Sequence, residues 1–121
     1  MNYILITLFR FLSYLPFIIL KVIAFKLYII NMLIFRYRYQ VVLENLLLVF
    51  PSKPINELYV IRNQFFRGFF NIIIEIIKMI SASKSFINHR VTITNKELID
   101  QYINNHQSIV LIGGHYNNWE W

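Results

Sequence analysis

The sequence contains no cysteine, only three glycines and three prolines, and few charged residues. Without cysteine there is no disulfide framework and no thiolate metal site. So few glycines and prolines cannot supply the many tight turns of an all-β protein. Charged residues make up 15% of the 121 residues and hydrophobic residues 57%, which excludes a disordered chain and indicates a single apolar domain.

Acidic residues are also scarce. Twelve Lys and Arg stand against six Asp and Glu, which gives a formal net charge of +6. The cations are scattered singly along an apolar chain, so the excess favours an anionic membrane surface over nucleic acid as the partner. We therefore expect membrane lipids as partners and no nucleic acid.

The most hydrophobic part of the chain runs from Tyr3 to Phe35 and contains three charged residues, Arg10, Lys21 and Lys26. A spanning helix needs about 20 apolar residues, and a Lys near its centre costs roughly 2.5–3.5 kcal/mol. The run therefore either spans the membrane or lies along its surface. Residues 1–35 are predicted to be a membrane anchor helix.

The cations that follow the anchor are Arg36, Arg38 and Lys53. By the positive-inside rule they keep the rest of the chain in the cytoplasm.

Two further helices are predicted after the anchor. The first runs from Arg38 to Phe50, before Pro51. The second runs from Ile55 to Ile80, and its polar residues other than Arg62 fall, together with a glycine, in an arc of about 140°. The rest of its surface is apolar and either packs on a core or contacts lipid. The polar arc contains Asn56, Glu57, Asn63, Gln64, Arg67, Gly68, Asn71, Glu75 and Lys78.

The pattern changes after Ser81. Arg90–Thr94 alternates like a short strand, and Thr94 with Glu97 predicts a capping box that opens a helix through Ile103. Ser108–Ile112 is continuously apolar, as in buried parallel strands. The predicted fold class is therefore α/β, with amino-terminal membrane-associated helices followed by the first strand-helix-strand of an α/β domain.

His115 and Glu120 are the candidate catalytic residues. His115 follows the predicted strand and Gly113-Gly114, where α/β active sites gather and where glycine permits a sharp backbone with φ > 0. Residues five positions apart differ by about 140° on a helix, so the pair meets only if His115 precedes a helix that holds Glu120. A carboxylate on one imidazole nitrogen leaves the other free to act as a general base. The alternative is a loop histidine and a glutamate that stabilises a helix start.

The other two histidines, His89 and His106, lack an acidic residue five positions later and are expected in surface or turn positions. No second histidine stands at helical spacing from His115, and there is no cysteine, so no metal site is expected. We expect no cofactor.

Several segments resemble one enzyme family. The block from Gly114 to Glu120, Gly-His-Tyr-Asn-Asn-Trp-Glu, resembles the His-x4-Asp/Glu block of the lysophospholipid acyltransferase superfamily. Its aromatic-rich form is similar to that of the lipid A biosynthesis (lauroyl/myristoyl) acyltransferases. Upstream segments match that family in order: Leu15-Pro16-Phe17, then Tyr37-Arg38 followed by Glu44-Asn45-Leu46, then Phe50-Pro51.

The resemblance implies a membrane-bound acyltransferase on the cytoplasmic side of the inner membrane. It implies transfer of a fatty acyl group from an acyl-carrier-protein or coenzyme A thioester to a hydroxyl of a lipid A precursor or similar glycolipid. His115 would deprotonate that hydroxyl and Glu120 would orient His115, while Asn118 is either a positioning residue or an ordinary polar residue at a helix start.

Members of this family are much longer, so the chain is expected to be an amino-terminal fragment that is inactive by itself. Residues 36–121 would then be the first part of an incomplete acyltransferase domain. The alternative is a small membrane-anchored module that binds lipid or a protein partner without catalysis.

Overall fold

A computed structural model of the chain describes residues 3–114 and residue 118. All regular secondary structure within these residues is helical. The chain divides into two compact units, residues 1–81 and 82–121. The first contains α1 (Tyr3–Ser13), α2 (Phe17–Ile30), a π-helical turn (Asn31–Phe35), α3 (Tyr39–Val49) and α4 (Ile55–Met79), and the second contains α5 (Lys84–Asn88) and α6 (Lys96–Asn104).

The predicted anchor contains a break at Pro16. Helix α1 ends at Ser13, and α2 begins with Pro16 as its N-cap residue. Proline has no backbone N–H to continue the hydrogen-bond ladder of α1, but its fixed φ suits a helix start. Ser13 is buried, and its hydroxyl donates a 2.7 Å hydrogen bond to the carbonyl of Arg10.

The core of the first unit lies between α2 and α4. Leu20 and Ala24 of α2 and Ile74 of α4 form its buried centre, with Phe17 and Phe70 among the partly buried residues around it. Ala24 is small, so it permits the two helices to approach closely. This contact is the most extensive one between helices in the described part of the chain.

Helix α4 runs without a break from Ile55 to Met79, past Gly68, which confirms the predicted continuous helix. Its apolar surface has two environments. Leu58, Phe66 and Ile74 are buried in the unit, whereas Phe65, Phe69 and Ile76 are exposed. The prediction that the apolar surface of this helix packs on a core is therefore correct for only one part of that surface.

The segment Phe17–Phe35, which comprises α2 and the π-helical turn, is long and apolar enough to cross a membrane. It has 19 residues and a mean hydropathy of 2.2, and only 17% of its hydrophobic window is buried. Leu33, Ile34 and Phe35 are each at least 70% exposed. A buried core helix would be covered by protein, so this segment has the surface of a helix that contacts lipid.

The predicted α/β fold class is wrong for the described residues, since none of them forms a β-strand. Arg90–Thr94 has no regular structure, and Ser108–Ile112 is also irregular. Val110, Leu111 and Ile112 are 84%, 82% and 95% exposed. A strand exists only through hydrogen bonds to a neighbouring strand, and the described chain offers these segments no such neighbour.

The predicted helix after Thr94 is present as α6, but the capping box is absent. The N-cap residue of α6 is Asn95, in the left-handed conformation with φ 58°, and no side chain caps the helix. Neither Gly113 nor Gly114 has positive φ, the conformation that glycine would permit at these positions. The one side-chain cap of the second unit's described helices is at α5, where the Ser83 hydroxyl accepts from the Phe86 N–H at 3.1 Å.

Candidate functional site

The predicted catalytic residues His115 and Glu120 lie outside the described residues. Asn118 is described and is partly buried. His89 and His106 are exposed residues in turns, as predicted. No group of metal-ligating side chains occurs among the residues that the structure describes.

Within the first unit, polar side chains gather where the membrane-length segment ends. Asn31 is buried, and its Oδ1 accepts a 3.0 Å hydrogen bond from the Tyr37 N–H. The Asn31 carbonyl accepts a 2.7 Å bond from the Arg36 N–H, which closes the π-helical turn. Arg36 and Arg38 then take left-handed conformations, with φ 48° and 52°. The two bonds to Asn31 fix the turn in which Arg36 adopts a conformation that L-residues ordinarily avoid.

Arg62 of α4 lies against the start of α3. Its guanidinium carbon is 4.1 Å from the ring centroid of Tyr39 and 4.9 Å from that of Tyr59. Its Nη2 donates a 3.3 Å hydrogen bond to Oδ1 of Asn63, and the Tyr39 hydroxyl reaches the same oxygen at 3.5 Å. Two aromatic rings and one amide therefore hold this guanidinium in place.

The Tyr39 phenol is affected by the same surroundings. Burial raises the pKa of Tyr39 above its ordinary value, while the positive charges of Arg62 and Arg36 oppose this rise and Tyr28 adds to it. Desolvation is the largest of these effects, so the neutral phenol is the favoured form.

A cavity of about 390 Å³ adjoins these residues and is lined by Met32, Leu33, Arg36, Tyr39 and Arg62. We call it the arginine cavity. Neither of its arginines forms an ion pair with a carboxylate of the described chain. Its walls thus combine two uncompensated positive charges with two apolar side chains.

A second cavity, of about 260 Å³, lies between α3 and α4. Its polar residues are Arg38 and Asn45, and its apolar wall includes Val41, Phe65 and Phe69. Arg38 and Asn45 belong to the segments that carry the family resemblance, and the fold brings both to one groove.

Lys21 is an exposed lysine within the membrane-length segment. It lines a cavity of about 340 Å³ with Arg67 and Asn71 of the α4 polar arc. Its Nζ lies 5.0 Å from the ring centroid of Phe17. A lysine within an apolar segment is better tolerated when it faces a cavity that contains other polar side chains.

Sequence reasoning did not identify Asn31, Tyr39 and Arg62 as members of one site. Two features of the sequence could have indicated Arg62 and Asn31. Arg62 is the only charged residue of α4 outside the polar arc, and Asn31 is the only polar side chain apart from Tyr28 in the apolar run from Leu27 to Phe35. A polar residue out of pattern indicates a specific partner.

These features describe a helical first unit with one membrane-length apolar segment and a cationic site at the end of that segment. Residues 1–121 match the family described as bacterial lipid A biosynthesis acyltransferase. Because this match covers the whole chain, the protein belongs to that family, as the resemblance predicted. No curated protein and no solved structure matches the chain.

Proposed function

We propose that the protein transfers a fatty acyl group from an acyl-carrier-protein or coenzyme A thioester to a hydroxyl of a lipid A precursor or similar glycolipid. The observation that carries the proposal is the family match over all 121 residues. In this reaction the hydroxyl oxygen attacks the thioester carbonyl, the new ester forms and the thiol leaves. No metal or cofactor is needed for these steps.

His115 is the proposed general base, and Glu120 is the proposed positioning residue. An imidazole that takes the hydroxyl proton makes the oxygen a better nucleophile and can return that proton to the leaving thiolate. A carboxylate beside the imidazole fixes its tautomer and stabilises the imidazolium. The sequence block from Gly114 to Glu120 supports these roles by its likeness to the family block.

We place the protein at the inner membrane with its active site on the cytoplasmic side. The membrane-length segment Phe17–Phe35 is followed directly by Arg36 and Arg38, and cations in this position favour the cytoplasmic face. This location suits the reaction, because acyl carrier protein and coenzyme A thioesters are cytoplasmic and the glycolipid acceptor lies in the membrane.

We also propose that these 121 residues do not catalyse the reaction by themselves. Val110, Leu111 and Ile112, which lead towards His115, are exposed and have no strand partner among the described residues. Catalysis requires the base to be held within about 0.5 Å of its working position by surrounding structure.

The test is an acyl-transfer assay with a radiolabelled acyl donor and a glycolipid acceptor. Membranes that contain the protein encoded by the intact natural gene should label the acceptor, whereas the isolated 121 residues should not. If the intact protein binds the acceptor but never labels it with any donor, the membrane-anchored binding module becomes the better description.

A further inference from the structure

The arginine cavity holds positive charge that no carboxylate of the described residues neutralises through an ion pair. Arg36 and Arg62 line the same space and have no carboxylate partner in the described chain. Two guanidinium groups that share a cavity repel each other, and a bound anion removes that repulsion. Guanidinium groups bind phosphate oxygens through paired, charge-assisted hydrogen bonds, so phosphate suits this cavity.

The cavity is also organised before any ligand binds. Tyr39 and Tyr59 flank the Arg62 guanidinium, and Asn63 accepts one of its hydrogen bonds. The buried Nε of Arg62 has no hydrogen-bond partner among the described residues. A guanidinium held in this way loses little conformational freedom when an anion binds to it.

The position along the chain indicates where that anion comes from. The segment Phe17–Phe35 has 19 residues and is therefore about 28 Å long, close to the thickness of the hydrocarbon core of a bilayer. Arg36 follows it directly, so in a spanning segment this arginine would lie at the level of the lipid headgroups. Met32 and Leu33, the apolar wall of the cavity, precede Arg36 and in a spanning segment would lie at the level of the first acyl-chain carbons.

We propose that the arginine cavity binds an anionic phospholipid of the surrounding bilayer, with the phosphate between Arg36 and Arg62 and the upper acyl chain on Met32 and Leu33. The site would fix the depth and rotation of the membrane segment. The proposed lipid site uses neither His115 nor Glu120, so it is tested on other residues than the proposed acyl transfer.

The experiment measures lipid binding to the intact protein in detergent micelles by native mass spectrometry. Phosphatidylglycerol and phosphatidylcholine of equal chain length are compared, and inorganic phosphate is added as a competitor. We expect phosphatidylglycerol to bind at least about tenfold more tightly than phosphatidylcholine. Arg36→Gln and Arg62→Gln should each remove most of this preference, and Arg62→Lys should remove part of it, since lysine keeps the charge without the planar fork.

Arg38→Gln is the matched control. Arg38 is exposed, lies two positions from Arg36 and carries the same charge, but it lines the other cavity. This variant should retain the preference within about twofold. If Arg38→Gln loses as much of the preference as Arg36→Gln, any cation in this region attracts anionic lipid. That result would overturn the proposal.

If millimolar inorganic phosphate displaces the lipid, the cavity is a site for free phosphate, and the proposal that a phospholipid is its ligand is overturned. If Arg62→Gln fails to fold, as judged by circular dichroism, exposed Arg36 still provides the test. Acyl transfer by the intact protein is measured separately, so failure of this site and failure of the proposed enzyme function are distinguishable.

Discussion

The Nζ atom of Lys78 donates a 2.8 Å hydrogen bond to the carbonyl oxygen of Ser13. It donates a second bond, of 3.1 Å, to the carbonyl of Leu15, and the Ser81 hydroxyl also donates to the Ser13 carbonyl, at 2.6 Å. These carbonyls lie at the break between α1 and α2, where the helical ladder leaves them unpaired. Unpaired carbonyls are costly in apolar surroundings, so the end of α4 stabilises the break.

Replacing Lys78 with methionine should therefore lower the free energy of unfolding by about 1.5–3 kcal/mol, because the side chain keeps its apolar stem but loses its donors. Unfolding by denaturant in detergent micelles, followed by circular dichroism, measures the change. Lys53→Met is the control, since Lys53 forms only an exposed 2.9 Å ion pair with Glu57 and should contribute less than about 1 kcal/mol. Equal losses in the two variants would contradict the role given to Lys78.

Asn31→Ala should destabilise the turn that ends the membrane segment. The substitution leaves the Tyr37 N–H without its acceptor, which costs about 1–3 kcal/mol. Asn31→Asp keeps an acceptor for this N–H but places a carboxylate at a buried position, so it should also lower the thermal midpoint. Asn56→Ala, at an exposed position of α4, should leave the midpoint unchanged. A midpoint for Asn31→Ala equal to the parent's would count against this role.

The raised pKa of Tyr39 predicts a loss of stability at high pH. The folded state favours the neutral phenol more than the unfolded state does, so this contribution is fully present below the ordinary tyrosine pKa of about 10. It is lost as the pH rises through the higher pKa of the folded state. Denaturant unfolding measured between neutral pH and pH 11 should show this decline, and Tyr39→Phe should weaken it. Tyr14→Phe, at an exposed position, is the control and should leave the decline in place. If the stability of Tyr39→Phe declines with pH as steeply as that of the parent protein, the decline does not come from Tyr39.

Leu27→Asp should reduce insertion of the protein into membranes. Leu27 is an exposed residue near the middle of the segment Phe17–Phe35, where an aspartate costs roughly 2.5–3.5 kcal/mol on insertion scales. Recovery in the membrane pellet after carbonate extraction measures the effect. Leu98→Asp, at an exposed position of α6, is the control and should leave recovery unchanged. If Leu27→Asp is recovered in full in the membrane pellet after carbonate extraction, the protein contacts the membrane through another segment.

His115→Ala in the active protein should lower the rate of acyl transfer by about 10²–10⁴-fold, because it removes the proposed general base. Glu120→Gln should also lower the rate strongly, but less than His115→Ala does. It keeps the shape of the side chain and removes the charge that is proposed to support the imidazolium. Asn117→Ala, in the same block but without an assigned role, is the control and should be milder. Normal activity in a folded His115→Ala protein would refute the assignment of the base.

The helices were predictable because their signals are local. The apolar periodicity and the prolines at positions 51 and 54 predicted α3 and α4 to within two residues, and a helix satisfies its backbone hydrogen bonds within one segment. The strand predictions at Arg90–Thr94 and Ser108–Ile112 were wrong for the opposite reason. β-Branched and apolar residues make a segment compatible with a sheet, but the strand itself requires a distant partner.

The amino-acid sequence alone decides the membrane-length apolar segment, the cations that follow it and the resemblance to the acyltransferase family. These depend on the order and types of residues and need no long-range contact. Only the tertiary structure decides that Arg62 lies on Tyr39, 23 positions away, and that Lys78 reaches Ser13, 65 positions away. Packing of α1 and α3 against α4 creates these contacts, and a polar arc on one helix cannot reveal which carbonyl or ring of another helix lies beside it.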